Sequence, residues 1–263
     1  RFRLKEAHEE ARAVLKRHNP NTRVGVSHIL TILLPKDPQS VLDRAYAVLF
    51  SYINDTNYIR ETYKNSDFIG LDFYSGYYLR FNPRNLQLAS EERIAYGVPK
   101  KVLLGELLKP ETETSDSGWP IVPEFFLRAL RYLHNTFGGM EIVIAENGLA
   151  DAKDEKRSFY ILTHLIALWK AIEEGVDVRR YMHWTSLDNF EWSEGYRLKF
   201  GLIGVDPKTG KRTIRNSAKL LGEIARAGEI DMDTLPDAYL TDEQRREMDK
   251  IVKRLGIGSS FSA

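Results

Sequence analysis

The segment IVIAENGLAD, residues 142–151, decides how this chain folds. A short apolar run is typical of a buried β-strand, and here it leads directly to a single acid, Glu146. The pair Asn147-Gly148 follows, and this pair commonly forms tight turns. The segment therefore predicts a strand that delivers one carboxylate to its end, after which the backbone turns away.

Helical and extended patterns alternate on both sides of this strand. The predicted helices cover 2–18, 40–53, 123–137, 154–174 and 216–227, and the predicted strands cover 23–34, 67–75, 140–146 and 178–188. Such alternation predicts an α/β fold in which helices cover a parallel sheet. Residues 76–119 carry no clear pattern and are predicted to form a long irregular excursion over one face.

The whole chain, 1–263, is predicted to form a single domain in which 228–263 is a C-terminal helical extension. A capping box from Thr241 to Gln244 predicts the start of a charged amphipathic helix, and a Gly/Ser-rich end follows it.

The composition limits the classes of partner and cofactor. With 38 Lys and Arg against 37 Asp and Glu, the net charge of +1 offers no broad field for nucleic acid or an anionic membrane. There is no cysteine, which excludes thiolate metal sites and fits a cytoplasmic location. The 6 histidines lack metal-ligand spacing, and no phosphate-binding loop is present. We therefore expect no metal, no cofactor and no membrane-spanning segment.

Aromatic and acidic side chains follow the ends of the predicted strands. Tyr74, Glu146 and the segment HWTSLDNFEW at 183–192 fall there, and the carboxyl ends of parallel strands meet at one edge of a sheet. Aromatic rings cover the C–H faces of a sugar, and carboxylates accept hydrogen bonds from its hydroxyls. Taken singly, each residue has a structural interpretation: Glu146 as a solvated acid at a turn, the aromatic residues as core, and Asp188 as a turn cap. Their coincidence at one edge favours a carbohydrate site.

Two other classes of function stay open on these patterns. A sugar-binding module would use the same aromatic and acidic side chains to bind a sugar without catalysis. A doubly wound nucleotide-binding domain also shows strand and helix alternation, but it needs a glycine-rich first turn, and SHILTILLPKDPQ at 27–39 offers none.

Several motifs resemble those of glycoside hydrolase family one, the β-glucosidase and β-galactosidase family. IAENG at 144–148 is similar to the nucleophile motif of that family, and HWTSLDNFEWSEGYRLKFGLIGVD at 183–206 is similar to its glycone-binding block. DFIGLDFYS at 67–75, SDSGWPIVPEFFLRAL at 115–130 and the helix 2–18 match in the same order. The resemblance implies the C-terminal half of a (β/α)8 TIM barrel, namely its last four β/α units and the preceding helix.

The resemblance also implies roles for individual residues. Glu146 matches the nucleophile of a retaining β-glycosidase, and Tyr74 matches the tyrosine that orients it. The positions matched to substrate binding are Trp184, Glu191, Trp192, Asp72 and Trp119. The 6-phospho-glycosidase branch of the family replaces the acid-tryptophan pair and ends this block in a lysine and a tyrosine that bind phosphate. Here the Glu191-Trp192 pair is retained and Phe200 follows Lys199, so the resemblance implies an unphosphorylated glycone.

The chain departs from the family pattern at several points. Asp72 and Ile29 stand where the family usually has asparagine, and Ala145 stands where it has threonine. A second carboxylate at Asp72 would raise the pKa of Glu146 if both groups stayed charged. The Asn-Glu-Pro motif that carries the acid/base glutamate does not occur in this sequence.

A retaining glycosidase needs two carboxyl groups about 5 to 5.5 Å apart. The sequence is therefore expected to be an incomplete enzyme, impaired or inactive alone, with a β-glycoside or oligosaccharide as its substrate. Half a barrel leaves sheet edges unpaired, so the expected partner is a complementary N-terminal half-barrel or another copy of the chain.

Overall fold

The computed structural model describes residues 2–53, 57–231 and 235–257. The Gly/Ser-rich end predicted from the sequence falls largely on 258–263, which lie outside the described residues. The helices are α1 (Phe2–His18), α2 (Val41–Ser51), α3 (Asn57–Thr62), α4 (Pro123–Thr136), α5 (Arg157–Glu173), α6 (Asn216–Ala227) and α7 (Asp242–Arg254). The strands are β1 (Val26–Ile29), β2 (Ile32–Pro35), β3 (Ile69–Phe73), β4 (Gly76–Phe81), β5 (Arg93–Ala95), β6 (Val98–Pro99), β7 (Lys101–Val102), β8 (Gly105–Leu108), β9 (Ile142–Asn147), β10 (Val178–His183), β11 (Ile203–Val205) and β12 (Arg212–Ile214).

A four-stranded parallel sheet in the order β1-β3-β9-β10 is the centre of the fold. The predicted parallel α/β architecture is confirmed. Strands β1 and β10, at the two ends of this order, each have one ladder neighbour among the described strands. The sheet is therefore open at both edges within the described part of the chain.

Helices α4 and α5 cover one face of the parallel sheet. The main core cluster joins Leu71 and Phe73 of β3 and Ile144 of β9 to Phe126 of α4 and Ile166 of α5, and all of them are fully buried. We call this side the helix-covered face and the opposite side the open face. Because side chains alternate along a strand, Asp72, which lies between Leu71 and Phe73, projects from the open face.

The helix boundaries agree closely with the patterns in the sequence. Helix α4 starts at Pro123, whose missing N–H costs nothing in a first turn. Helix α6 ends at Ala227 and is capped by Gly228, which adopts a left-handed φ of 73°. Helix α7 starts with the predicted capping box, in which Thr241 and Gln244 satisfy each other's backbone N–H groups. No helix in the described part of the chain is long and apolar enough to cross a membrane.

The predicted strand 23–34 is wrong as a single element. Strand β1 ends at Ile29, and the chain re-enters a different sheet as β2. The break falls at Leu30, which is 2% exposed and whose N–H donates to the carbonyl of Asp72 at 3.0 Å. The largely apolar run of residues continues across this break, so the sequence does not show it.

The interpretation of 76–119 as irregular is also wrong. Strands β4, β7 and β8 join β2 in a second four-stranded sheet, and β5 pairs with β6 in a hairpin. Helix α2 packs on this sheet through Tyr46, which contacts a cluster that includes Tyr77 and Leu79. These strands are only two to six residues long, so their alternation is too brief to show clearly in the sequence.

Candidate active site

A β-bulge in β9 turns Glu146 onto the open face. Ile144 pairs with Leu71, but the next pair is Glu146 with Asp72, so Ala145 is an extra residue in the ladder. Ile144 and Asn147 are both fully buried, Ile144 in the core beneath the helices and Asn147 in a hydrogen bond to Tyr160 of α5. With the extra residue between them, Glu146 is released to the opposite side, as bulges commonly do near functional sites.

Tyr74 contacts Glu146 directly. Its phenol hydroxyl donates a hydrogen bond of 2.5 Å to Oε2 of Glu146. Burial raises the pKa of Glu146, the hydrogen bond from Tyr74 opposes that rise, and the charges of Asp72 and Glu191 add to it. Burial also raises the pKa of Tyr74 far above its usual value, so this residue stays a hydrogen-bond donor.

Asp72 supplies a second carboxyl group beside Glu146. It is the register partner of Glu146 on the neighbouring strand, and Ser27 of β1 donates a hydrogen bond of 2.5 Å to its Oδ1. Burial raises the pKa of Asp72, against the opposing effect of the Ser27 hydrogen bond. The expectation that Asp72 raises the pKa of Glu146 is confirmed in direction, although burial of Glu146 is the larger cause. The contribution of Ser27 is not visible in the sequence, because it depends on the pairing of β1 with β3.

The rings of Tyr74, Trp119 and Phe200 pack together, and we call this group the aromatic wall. The Tyr74 ring lies 5.2 Å from the Trp119 ring and 6.2 Å from the Phe200 ring, measured between centroids. Trp119 is held in place because its Nε1 donates to the carbonyl of Tyr96 at 2.9 Å. Phe200 is 3% exposed, so it supports the wall from behind. The predicted residue Trp119 therefore lies next to the Tyr74–Glu146 contact.

The other predicted binding residues follow β10. Trp184 packs against the cluster of Ala150, Leu198 and Phe200. Burial raises the pKa of Glu191, and a hydrogen bond with Trp184 opposes this rise. The Oε1 atom of Glu191 is buried and has no hydrogen-bond partner among the described residues, while the neighbouring Trp192 is 81% exposed. Glu191 thus presents a buried acceptor beside an exposed aromatic ring.

Asp188 does not belong to this wall, and its role is structural, although its partners lie in distant segments rather than in a local turn. Its two carboxylate oxygens accept hydrogen bonds from Arg215 at 2.9 and 3.0 Å, and Oδ1 also accepts from the N–H of Gly201 at 2.9 Å. Although burial acts to raise the pKa of Asp188, these hydrogen bonds outweigh it and lower the pKa. Asp188 therefore holds the loop after β10 in place.

Gly148 is required for a close approach. A Cβ atom at this position would lie 1.8 Å from the carbonyl oxygen of Trp184. The N–H of Trp184 also donates to the carbonyl of Asn147 at 3.0 Å, so the two segments run in direct contact. The sequence explained the Asn147-Gly148 pair by turn formation alone and missed this contact between distant segments.

The described residues contain no group of three or more His, Cys, Asp or Glu side chains that could hold a metal ion. Burial lowers the pKa of His183, and that of His164, to about 3, so both rings are neutral near pH 7. Ile29, which stands where the family usually has asparagine, is 51% exposed and brings no polar group. The site residues described above therefore supply carboxyl groups, hydroxyl groups and aromatic rings.

Comparison with known proteins connects this geometry to a family. Residues 52–230 match the sequence model of Glycosyl hydrolase family 1. Beta-glucosidase A of Thermotoga maritima is 36% identical over 190 residues, which are 68% of this chain and 38% of that protein. A beta-galactosidase of Sulfolobus acidocaldarius is 41% identical over 117 residues, 44% of this chain and 24% of that protein.

Among solved structures, Fpglu1 from Fervidobacterium superposes with a TM-score of 0.74 at 29% identity, covering 89% of this chain and 50% of that one. The chain therefore spans about half the length of that structure and a smaller share of the curated relatives. Its parallel sheet corresponds to part of a (β/α)8 barrel.

Proposed function

The chain belongs to glycosyl hydrolase family 1, and on that premise we propose that Glu146 is the nucleophile of a retaining β-glycosidase. The substrates that we propose are β-glucosides or β-galactosides, by analogy with the beta-glucosidase and beta-galactosidase relatives. The observation that carries the proposal is the 2.5 Å hydrogen bond from Tyr74 to Oε2 of Glu146 at the foot of the aromatic wall.

In the first step, a carboxylate oxygen of Glu146 attacks the anomeric carbon of the sugar. A carbon–oxygen ester bond forms, the glycosidic bond breaks, and its electron pair stays on the leaving oxygen. Tyr74 occupies Oε2, which leaves Oε1 for the attack. In the second step, water attacks the same carbon and releases Glu146, so the product keeps the configuration of the substrate.

We assign the glycone to the residues after β10. The carboxyl group of Glu191 is only partly buried and its Oε1 has no hydrogen-bond partner among the described residues, so this group is suited to accept a hydrogen bond from a sugar hydroxyl. Trp184, which is hydrogen-bonded to Glu191, and the adjacent Trp192 offer apolar ring surface, and Trp119 and Asp72 complete the proposed binding set. The neutral, hydroxyl-rich character of a sugar fits this combination of acids and aromatic rings.

Protonation of the leaving oxygen requires a second carboxyl group that the family carries in an Asn-Glu-Pro motif. This sequence has no such motif. We propose that a complementary half-barrel, from a preceding segment or another chain, pairs with the open edges at β1 and β10 and brings that group. Glycosides with a good leaving group need less protonation, so they are the substrates with which to test Glu146 in this chain.

The test is covalent labelling of the 263-residue chain with a 2,4-dinitrophenyl 2-deoxy-2-fluoro-β-glucoside, followed by intact-mass spectrometry and peptide mapping. The proposal predicts one sugar adduct on the peptide that contains Glu146, and no adduct in Glu146→Gln. The matched control is Glu141→Gln, which changes an acid in the same segment that binds Arg23 at the opposite end of β9. If the unsubstituted chain stays unlabelled at saturating probe, the nucleophile proposal fails for this chain.

A non-catalytic sugar-binding function is the second candidate. It is favoured by the apolar Ile29 and by the extra carboxyl group of Asp72 at positions where the family uses asparagine. It predicts saturable glucose binding that Glu146→Gln leaves unchanged, together with no covalent adduct. Calorimetry on both proteins, run beside the labelling experiment, separates the two functions.

A further inference from the structure

Asn147 follows Glu146 in the sequence but faces the opposite side of the sheet. Its side chain is fully buried, and Nδ2 donates to the carbonyl of Phe73 and to the hydroxyl of Tyr160, both at 2.7 Å. Its Oδ1 accepts from the hydroxyl of Tyr181 at 3.0 Å. This one amide therefore ties strand β9 to β3, to β10 and to helix α5.

Tyr160 of α5 holds two consecutive residues of the Glu146 segment. Its hydroxyl oxygen accepts from the side chain of Asn147 and also from the backbone N–H of Gly148. The Tyr160 ring is itself fixed, since it is fully buried and stacked on His164 with 3.8 Å between ring centroids. Tyr160 is thus a rigid acceptor anchored in the core behind the sheet.

This anchor bears directly on the orientation of Glu146. In a regular strand, two residues separated by one lie on the same face, but here the bulge places Ala145 and Glu146 together between Ile144 and Asn147. A bulge has fewer ladder bonds to hold it, so side-chain contacts have to fix its geometry. On the far side of Glu146, those contacts include the hydrogen bonds that Asn147 and Gly148 make to Tyr160.

We propose that Tyr160 is a positioning residue for Glu146, acting through Asn147 and Gly148 to hold the bulge at the angle where Glu146 meets Tyr74. The labelling rate that this inference predicts rests on the proposed function. The inference also makes a structural claim about the bulge that can be measured without a substrate. Tyr160 does not touch the sugar, since it lies on the helix-covered face.

The test compares Tyr160→Phe with Tyr46→Phe. Each substitution removes one buried hydroxyl that is hydrogen-bonded, but Tyr46 lies in α2 and contacts the carbonyl of Leu103, in the separate core of the second sheet. Both variants are studied below their melting temperatures, so that both are folded during the measurement. Tyr46→Phe then controls for a general loss of stability. The two readouts are the labelling rate of the fluoro-glycoside and hydrogen exchange of the peptide that contains the Gly148 amide.

The expected result is a maximal labelling rate that falls about tenfold in Tyr160→Phe, with half-saturation unchanged, because a displaced nucleophile attacks more slowly without binding the sugar less well. Exchange at the Gly148 amide should rise by about tenfold in Tyr160→Phe and stay at the parent value in Tyr46→Phe. Labelling and exchange in Tyr160→Phe that match those of Tyr46→Phe would overturn the inference. If the parent chain takes no label, the proposed function fails, and the exchange comparison alone decides whether Tyr160 holds the bulge.

Discussion

Asp72 and Glu146 are register partners on adjacent parallel strands, and both project from the open face of the sheet. Each carboxyl group is hydrogen-bonded by a different hydroxyl, Asp72 by Ser27 and Glu146 by Tyr74. The pair combines burial with like charge, and both effects favour the protonated form of a carboxyl group. Its ionisation therefore governs both the reactivity and the stability of this region.

Replacing Asp72 by asparagine should extend labelling to lower pH. The charge of Asp72 contributes to the raised pKa of Glu146, so Asp72→Asn lowers that pKa and keeps Glu146 ionised in more acidic solution. The measurement is the pH dependence of the labelling rate, whose acid limb should move down. Asp177→Asn, which neutralises an acid at the other end of β10, should leave the limb in place. An unmoved limb in Asp72→Asn would mean that the two carboxyl groups do not interact.

Replacing Tyr74 by phenylalanine should move the acid limb in the opposite direction. The Tyr74 hydrogen bond lowers the pKa of Glu146, so its loss raises that pKa, and the labelling rate at pH 7 should fall about 10-fold to 100-fold. The control is Tyr96→Phe, which removes a hydroxyl that contacts Ser193 rather than Glu146. Equal rates in the two variants would exclude Tyr74 as the residue that orients Glu146.

Replacing Glu146 by glutamine should stabilise the fold at pH 7. Burial raises the pKa of Glu146 in the folded state above its value in the unfolded state. Proton binding by Glu146 therefore stabilises the fold fully at pH values below the pKa of the unfolded state, and this stabilisation is lost as the pH rises through the pKa of the folded state. Glu146→Gln removes this loss, and its melting temperature at pH 7 should exceed that of the parent by a few degrees. At pH 4 the two proteins should melt closer together. A lower melting temperature for the variant at pH 7 contradicts this account.

Replacing Gly148 by alanine should destabilise the protein by about 2–4 kcal/mol, because the new Cβ collides with the backbone of Trp184 and neither backbone segment can yield easily. Gly222→Ala is the matched control. Gly222 lies inside α6 with only the flexible end of Arg226 nearby, so alanine there should stabilise by about 0.5–1 kcal/mol. Urea denaturation of both variants measures the two effects, and similar free energies of unfolding would rule out the predicted collision.

Local patterns were sufficient to predict much of the architecture. Helices α1, α4 and α6 start and end within one residue of their predicted bounds, because caps, prolines and glycines act on their immediate neighbours. The strands around Glu146 were identified by their apolar runs, and their parallel arrangement followed from the helices between them. The short strands of the second sheet and its neighbouring hairpin were missed because most of them span only two to four residues, too few for an alternating pattern to show.

The sequence by itself determined that Glu146 ends a buried strand and that Tyr74, Trp184 and Glu191 follow neighbouring strands, since strand ends are defined by local chemistry. Only the tertiary structure decided which way these side chains point. The bulge at Ala145 aims Glu146 at Tyr74, Arg215 draws Asp188 away from the wall, and Trp184 requires glycine at 148. Each of these outcomes depends on a partner far away in the chain, and no local pattern carries that information.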